Sequence, residues 1–244
     1  MICSVELPIK YLEKYSQYFD FDFVIASTCV DYPEYFEYFK KTKRFMILDN
    51  GAFETGQAID DKKYYEIAME LKPDILILPD VKNDHKRSIQ RASTFLKEAW
   101  KNNPIPGVNL MGVLPGHSEE QVMDEYLLYT KHLGVTLFGF PYTPGVNRYL
   151  FLKKHPEIKD VHILGLPVLS EVLALNLLPN VKSIDSSLPV KCAVDGVVSM
   201  LELLASDTKV IPTKDNLNED LLKENLQIYR DICEGRCWVR KIGE

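Results

Sequence analysis

RFMILDNGAF, residues 44–53, sets the pattern that the rest of the chain repeats. Phe45 to Leu48 form a short apolar run of the kind that makes a buried strand. The run ends on a carboxylate, Asp49, and passes into Asn50-Gly51-Ala52, small residues that let a planar ligand approach the backbone. The same pattern returns in DILILPDVKND, with Asp80, and in VKSIDSSLPVK, with Asp185. A carboxylate is costly to desolvate unless it is paired, hydrogen-bonded or in use, so three apolar runs ending on acids need a common explanation.

Working outward, strand-like runs fall at 3–7, 21–27, 44–49, 74–80, 109–115, 135–141, 161–167 and 182–186. Amphipathic stretches lie between them: PEYFEYFKK, DDKKYYEIAMELK, HKRSIQRASTFLKEAWKN and SEEQVMDEYLLYTKHLG. In the last of these Ser118 and Gln121 stand at capping-box spacing, which predicts a helix starting just after LPGH. Alternation without a long linker points to parallel βα units. A chain of 244 residues suits a (β/α)8 TIM barrel, for which about 250 residues is typical. An open doubly wound sheet gives a similar string. Only a barrel, however, brings the ends of strands three, four and eight to one mouth. The expected architecture is therefore a single-domain barrel over 1–205, with 206–244 as a loop and an extra C-terminal helix packed on the outside or used as a lid. CAVDGVVSMLELLA is read as the last barrel helix.

Composition narrows the function. No apolar run approaches the roughly 18 residues of a membrane span, and the start has no signal-peptide pattern, so the reading is a cytoplasmic protein with no membrane partner. A net charge of −6 argues against coating nucleic acid through phosphate neutralisation alone. Local basic clusters, KKTKR at 40–44 and HKR at 85–87, are either parts of a phosphate-binding face beside the acids or solvated helix ends. Five cysteines spread along the chain fit free thiols rather than a disulfide framework. Cys233 and Cys237 lack the second ligand pair of a structural zinc site, so no metal is expected. Each acid also has a plain reading as a helix N-cap, strongest for Asp80. Asp185, with two serines and a proline after it, reads as a fixed turn. Two carboxylates at one mouth can divide the labour of glycosyl transfer, one attacking the anomeric carbon and the other moving the leaving group's proton.

Six segments in order, LDNGAFE, LPDV, GVLPGHS, VTLFGFPY, HILGLP and SIDSSLPVK, covering 44–191, resemble the tRNA-guanine transglycosylase superfamily. The likeness is greatest to its short DNA-modifying branch, the phage and bacterial enzymes that insert 7-deazaguanine bases into DNA. The resemblance implies Asp185 as nucleophile on C1′ and Asp49 as general acid/base. It implies Asp80 as acceptor for the guanine N1–H and amino group, and Phe53 as a stacking platform. Asn50 and Gly51 beside Asp49, Gly139, and the Leu164-Gly165 backbone would line the pocket. The family's base-recognising glutamine has no equivalent, its region being occupied by Leu114, Pro115 or His117. Lys191 stands where the tRNA enzymes carry arginine. His162, at the start of its strand, reads as structural. The zinc-binding subdomain of the tRNA enzymes is missing, which favours DNA over tRNA. The implied partners are DNA, with tRNA as the alternative, and a free 7-deazaguanine such as 7-cyano-7-deazaguanine. No cofactor is implied, homo-oligomerisation is left open, and the compartment would be the host cytoplasm if the chain is phage-encoded. A barrel glycoside hydrolase and a non-catalytic binding barrel are the rival readings.

Overall fold

The computed structural model describes residues 1–52, 59–82, 84–166, 169–196 and 217–236. Its elements, in chain order, are β1 (Ile2–Val5), α1 (Ile9–Tyr15), β2 (Asp22–Ile25), α2 (Ala26–Asp31), α3 (Pro33–Lys41), β3 (Met46–Asp49), α4 (Asp61–Leu71), β4 (Ile75–Ile77) and α5 (His85–Phe95). There follow β5 (Asn109–Val113), α6 (Glu119–Leu128), β6 (Leu137–Pro141), α7 (Arg148–Lys154), β7 (Val161–Leu164), α8 (Leu169–Leu175), β8 (Val181–Ser186), α9 (Leu188–Val194) and α10 (Glu219–Cys233).

The eight strands form one parallel sheet in the order β1-β8-β7-β6-β5-β4-β3-β2, a nearly closed (β/α)8 barrel. Sheet pairing links every neighbour except β1 and β2, where side chains and a backbone bond complete the ring. Cys3 exchanges bonds with Asp20, its N–H donating to the Asp20 carboxylate and its carbonyl accepting from the Asp20 N–H, both at 2.8 Å. The Ser4 hydroxyl donates to the Phe21 carbonyl at 2.7 Å and accepts from the Phe23 N–H at 3.2 Å. A serine hydroxyl thus does at this seam what backbone groups do elsewhere in the ring.

Strand alternation sorts the two cores. Outward residues such as Val24, Leu48, Leu76 and Ile163 pack under the helices in one large cluster. Inward residues Phe21, Phe23, Ile25, Ile47, Ile77, Met111 and Val113 make a second cluster inside the barrel. The remaining wall is polar, with Ser4, His162, Ser183 and Asp185 buried on β1, β7 and β8. The lumen is therefore two-sided, apolar along β2 to β5 and polar along β7, β8 and β1.

The expected strands are all present; most are shorter than read, while β8 is one residue longer and starts at Val181. The run at 21–27 ends at Ile25 and turns directly into α2, while 74–80 ends at Ile77. Asp80 accordingly stands three residues beyond its strand. The capping box at Ser118 forms, Ser118 Oγ accepting the Gln121 N–H at 3.2 Å, and α6 begins at Glu119. The last barrel helix starts at Leu188, before the Cys192 expected, and 197–205 lie outside the described residues. Helix α10 is not a lid. Its buried face of Leu222, Leu226, Tyr229 and Ile232 packs on the flank of the barrel beside α9, α8 and β1. Asn225 reaches the Pro189 carbonyl at 3.4 Å. Among the described residues no helix is long and apolar enough to cross a membrane.

Candidate active site

Parallel topology gives the barrel a direction: residues just after a strand lie at the mouth, and residues just before it lie at the opposite end. Asp49 is the last residue of β3 and Asp185 the last but one of β8. Asp49 shares its strand face with Ile47 of the inner cluster, so it points into the barrel, where it is half-buried. Its Oδ1 accepts the Gly51 N–H at 3.4 Å, closing a short turn.

Asp185 is 2% exposed. Its Oδ1 takes two donors, the Gly165 N–H at 3.1 Å and the ring of His162, whose Nε2 lies at 3.0 Å. The other ring nitrogen, Nδ1, meets Ser183 Oγ at 2.8 Å. With Asp185 ionised, Nε2–H donates to the carboxylate and Nδ1 accepts from the serine hydroxyl, which fixes one tautomer. Phe23 stacks on the imidazole with ring centroids 5.6 Å apart, and Phe21 meets it edge-on at 5.9 Å. His162 is thus part of the Asp185 constellation, not a bystander at the start of a strand. In register it pairs with Ser183, two residues below Asp185 on the next strand, so its side chain reaches up to the carboxylate. Both donors of Asp185 go to Oδ1, and among the described residues none is directed at Oδ2.

Asn50 is wholly buried and donates through Nδ2 to Asp80 Oδ1 at 2.7 Å, while its own Oδ1 accepts the Ala52 N–H at 3.0 Å. The amide thereby couples the turn after β3 to the loop after β4. Burial pushes the Asp80 carboxyl above the ordinary carboxylate range, against the Asn50 bond, which pulls it down. Asp80 does not cap the next helix; Asp84 does, accepting the Arg87 N–H at 3.0 Å.

Two of the glycines serve packing. A Cβ on Gly51, whose φ is +78°, would lie 2.1 Å from Ser27 Oγ. The small residue there admits α2 and a left-handed turn. A Cβ on Gly139 would meet Leu164 Cδ1 at 2.7 Å, so Gly139 makes room for Leu164 inside the barrel. Leu164 and Gly165 are half-buried at the end of β7, and Lys191 is half-buried on α9. His117 is exposed, its N–H held by Gln121 Oε1 at 2.8 Å. Phe53 and Cys237 lie outside the described residues, whereas Cys233 is a buried free thiol.

The two basic clusters part company. HKR opens α5 on the mouth side, with Lys86 and Arg87 exposed. KKTKR precedes β3 and therefore sits at the opposite end, where Arg44 pairs with Asp22 at 2.9 Å and Lys40 with Glu70 at 3.0 Å. It is no part of a face beside the acids. A cavity of about 450 Å³ also opens at that far end, between Trp100, Leu110 and Leu133, remote from Asp185.

One further acid carries no signal in the sequence. Glu125 on α6 is fully buried, Oε2 accepting the Gly116 N–H at 3.0 Å and Oε1 without a hydrogen-bond partner. Desolvation pushes it from 4.5 up to about 8, the Gly116 bond opposing. Because the folded-state value lies above the unfolded one, stability is lost as pH rises from 4.5 towards about 8. At pH 7 the loss is on the order of 3 kcal/mol. Glu125→Gln keeps an acceptor for Gly116 and removes the titration. Thermal melts should show the variant several degrees more stable at pH 8 and no more stable than wild type at pH 4.5. An equal shift at both pH values would refute this account.

Among the described residues no group of three or more His, Cys, Asp or Glu is placed to hold a metal ion. Compared with known protein-family models and with curated proteins, the chain matches none.

Proposed function

We propose that this chain is a base-exchange transglycosylase that replaces guanine in DNA by a 7-deazaguanine through a covalent aspartyl intermediate. One observation carries the reading. Asp185 is buried at the strand ends with both of its donors on Oδ1, an arrangement that orients the carboxylate and leaves Oδ2 for attack, and a second acid, Asp49, points into the same barrel. The resemblance of 44–191 to guanine transglycosylases supplies the substrate class.

The target nucleotide is extruded from the stack at a cost of a few kcal/mol. Asp185 Oδ2 attacks C1′ as the C1′–N9 bond breaks, and Asp49 gives a proton to the departing guanine. The enzyme then holds the DNA through an ester to C1′. A 7-deazaguanine enters, Asp49 takes its N9 proton, N9 attacks C1′ and the Asp185 carboxylate is released. Two inversions give net retention, and the proton that Asp49 loses in the first half it regains in the second. His162 and the Gly165 N–H steady Oδ1 throughout. The apolar wall of β2 to β5 suits the faces of a bicyclic ring, and Asp80 its hydrogen-bonding edge.

The test is mass spectrometry of nucleosides from DNA incubated with the protein and a panel of 7-deazaguanines, with tRNA in parallel. Incorporation into DNA is the expected result. Incorporation into tRNA alone would move the substrate to tRNA. Release of reducing sugar from free glycosides, with no base exchanged, would replace the proposal by a hydrolase.

A further inference from the structure

Arg148, the first residue of α7, is 1% exposed. Its guanidinium grips Glu171 of α8 in a two-pronged pair, Nε to Oε1 at 2.8 Å and Nη2 to Oε2 at 2.6 Å. The third nitrogen, Nη1, points instead at three carbonyls at the ends of β6 and β7: Phe140 at 3.1 Å, Leu164 at 3.2 Å and Gly165 at 3.1 Å. Burying a guanidinium is costly, and carbonyls alone need no full charge.

The Leu164 carbonyl and the Gly165 N–H belong to the same peptide unit. The carbonyl end receives Arg148, and the N–H end donates to Asp185 Oδ1 at 3.1 Å. Gly165 has φ +65°, a left-handed conformation that lets two successive carbonyls turn to Arg148 while the N–H between them faces Asp185. A cation on a peptide oxygen polarises that peptide and makes its N–H a stronger donor.

We infer that Arg148, fixed by Glu171, is a positioning residue that acts through the Leu164–Gly165 peptide to hold and electrostatically stabilise the Asp185 carboxylate. This rests on the reading of Asp185 as nucleophile, but the relay itself can be tested apart from it. Neither residue touches Asp185, and a purely architectural Arg148 would tie β6 to β7 without changing the Gly165 N–H.

Only two glycines follow a leucine, Gly134 and Gly165. Labelling with carbonyl-¹³C leucine and ¹⁵N glycine therefore isolates their two amides by NMR, with Gly134 as internal control. Arg148→Met should move the Gly165 proton upfield, in the same direction as Asp185→Asn, and leave Gly134 in place. Base exchange should fall roughly 10- to 100-fold in kcat with KM for DNA unchanged. Guanidinium ion added to the medium should restore part of the lost rate, and urea should not. If Arg148→Met does not fold, Glu171→Gln reads the same relay with the opposite sign, moving the Gly165 proton downfield. A Gly165 resonance indifferent to whichever of these variants folds would overturn the inference. Should wild type exchange no base at all, the nucleophile reading fails, while the amide shifts still decide the relay.

Discussion

Asp185→Asn should fold, bind DNA as wild type does and lose base exchange by about 10⁴-fold or more. The asparagine is the cleaner replacement because it fills the same space and keeps an acceptor for the Gly165 N–H and the His162 ring. Asp185→Ala would leave two buried donors unpaired, which costs roughly 1–3 kcal/mol each, so its loss of activity mixes chemistry with stability. The decisive readout is covalent. Incubated with DNA and a poor acceptor base, wild type should give a DNA–protein adduct that survives a denaturing gel, and Asp185→Asn should give none. An adduct of undiminished yield in the variant would remove Asp185 from the chemistry and the mechanism with it.

The second large effect concerns Asp49. Replacing it by Asn removes the proton donor for the leaving base and the acceptor for the entering one, which for general acid–base catalysis is worth about 10²–10⁴-fold. The loss should depend on the leaving group. Guanine needs a proton to depart well, whereas 7-methylguanine in DNA already carries a positive charge and leaves neutral. In single-turnover release assays Asp49→Asn should therefore be crippled on guanine and nearly intact on 7-methylguanine. Equal losses on both would mean that Asp49 shapes the site without moving a proton.

Direction along the chain makes the ring and its two acids readable. An apolar run that ends on Asp49 or on Asp185 places that acid at the carboxyl end of a parallel strand, and in the barrel both lie at the same end. The same rule decides between the two readings of KKTKR: a basic run that precedes its strand must lie at the far end, where Arg44 serves Asp22. His162 looks structural from the sequence because position along β7 does not reveal height in the barrel. The stagger between β7 and β8 sets it beside Ser183, just beneath the acid. Arg148 leaves no trace in the sequence. NRYLFLKK reads as an ordinary helix start, and arginine is almost never fully buried unless paired; its partner Glu171 lies on another helix. Glu125 is hidden for the same reason, since a glutamate within EEQVMDEYLL looks like one more solvated charge.

The Ser4 hydroxyl that stands in for sheet pairing between β1 and β2 has a geometric consequence for the two acids. Going one way around the ring, five ladders separate the strands of Asp185 and Asp49, the β7–β8 ladder with a shift in register. Going the other way, β8 is tied to β1 and β2 to β3, and the two pairs are joined by the side-chain bonds of Ser4 and Asp20 together with a backbone bond from the Asp20 N–H to the Cys3 carbonyl. The two acids therefore lie on opposite sides of the one neighbouring pair of strands in the ring that has no sheet ladder. On that side their spacing is set by two ladders and a seam with no ladder of its own, and on the other side by five ladders.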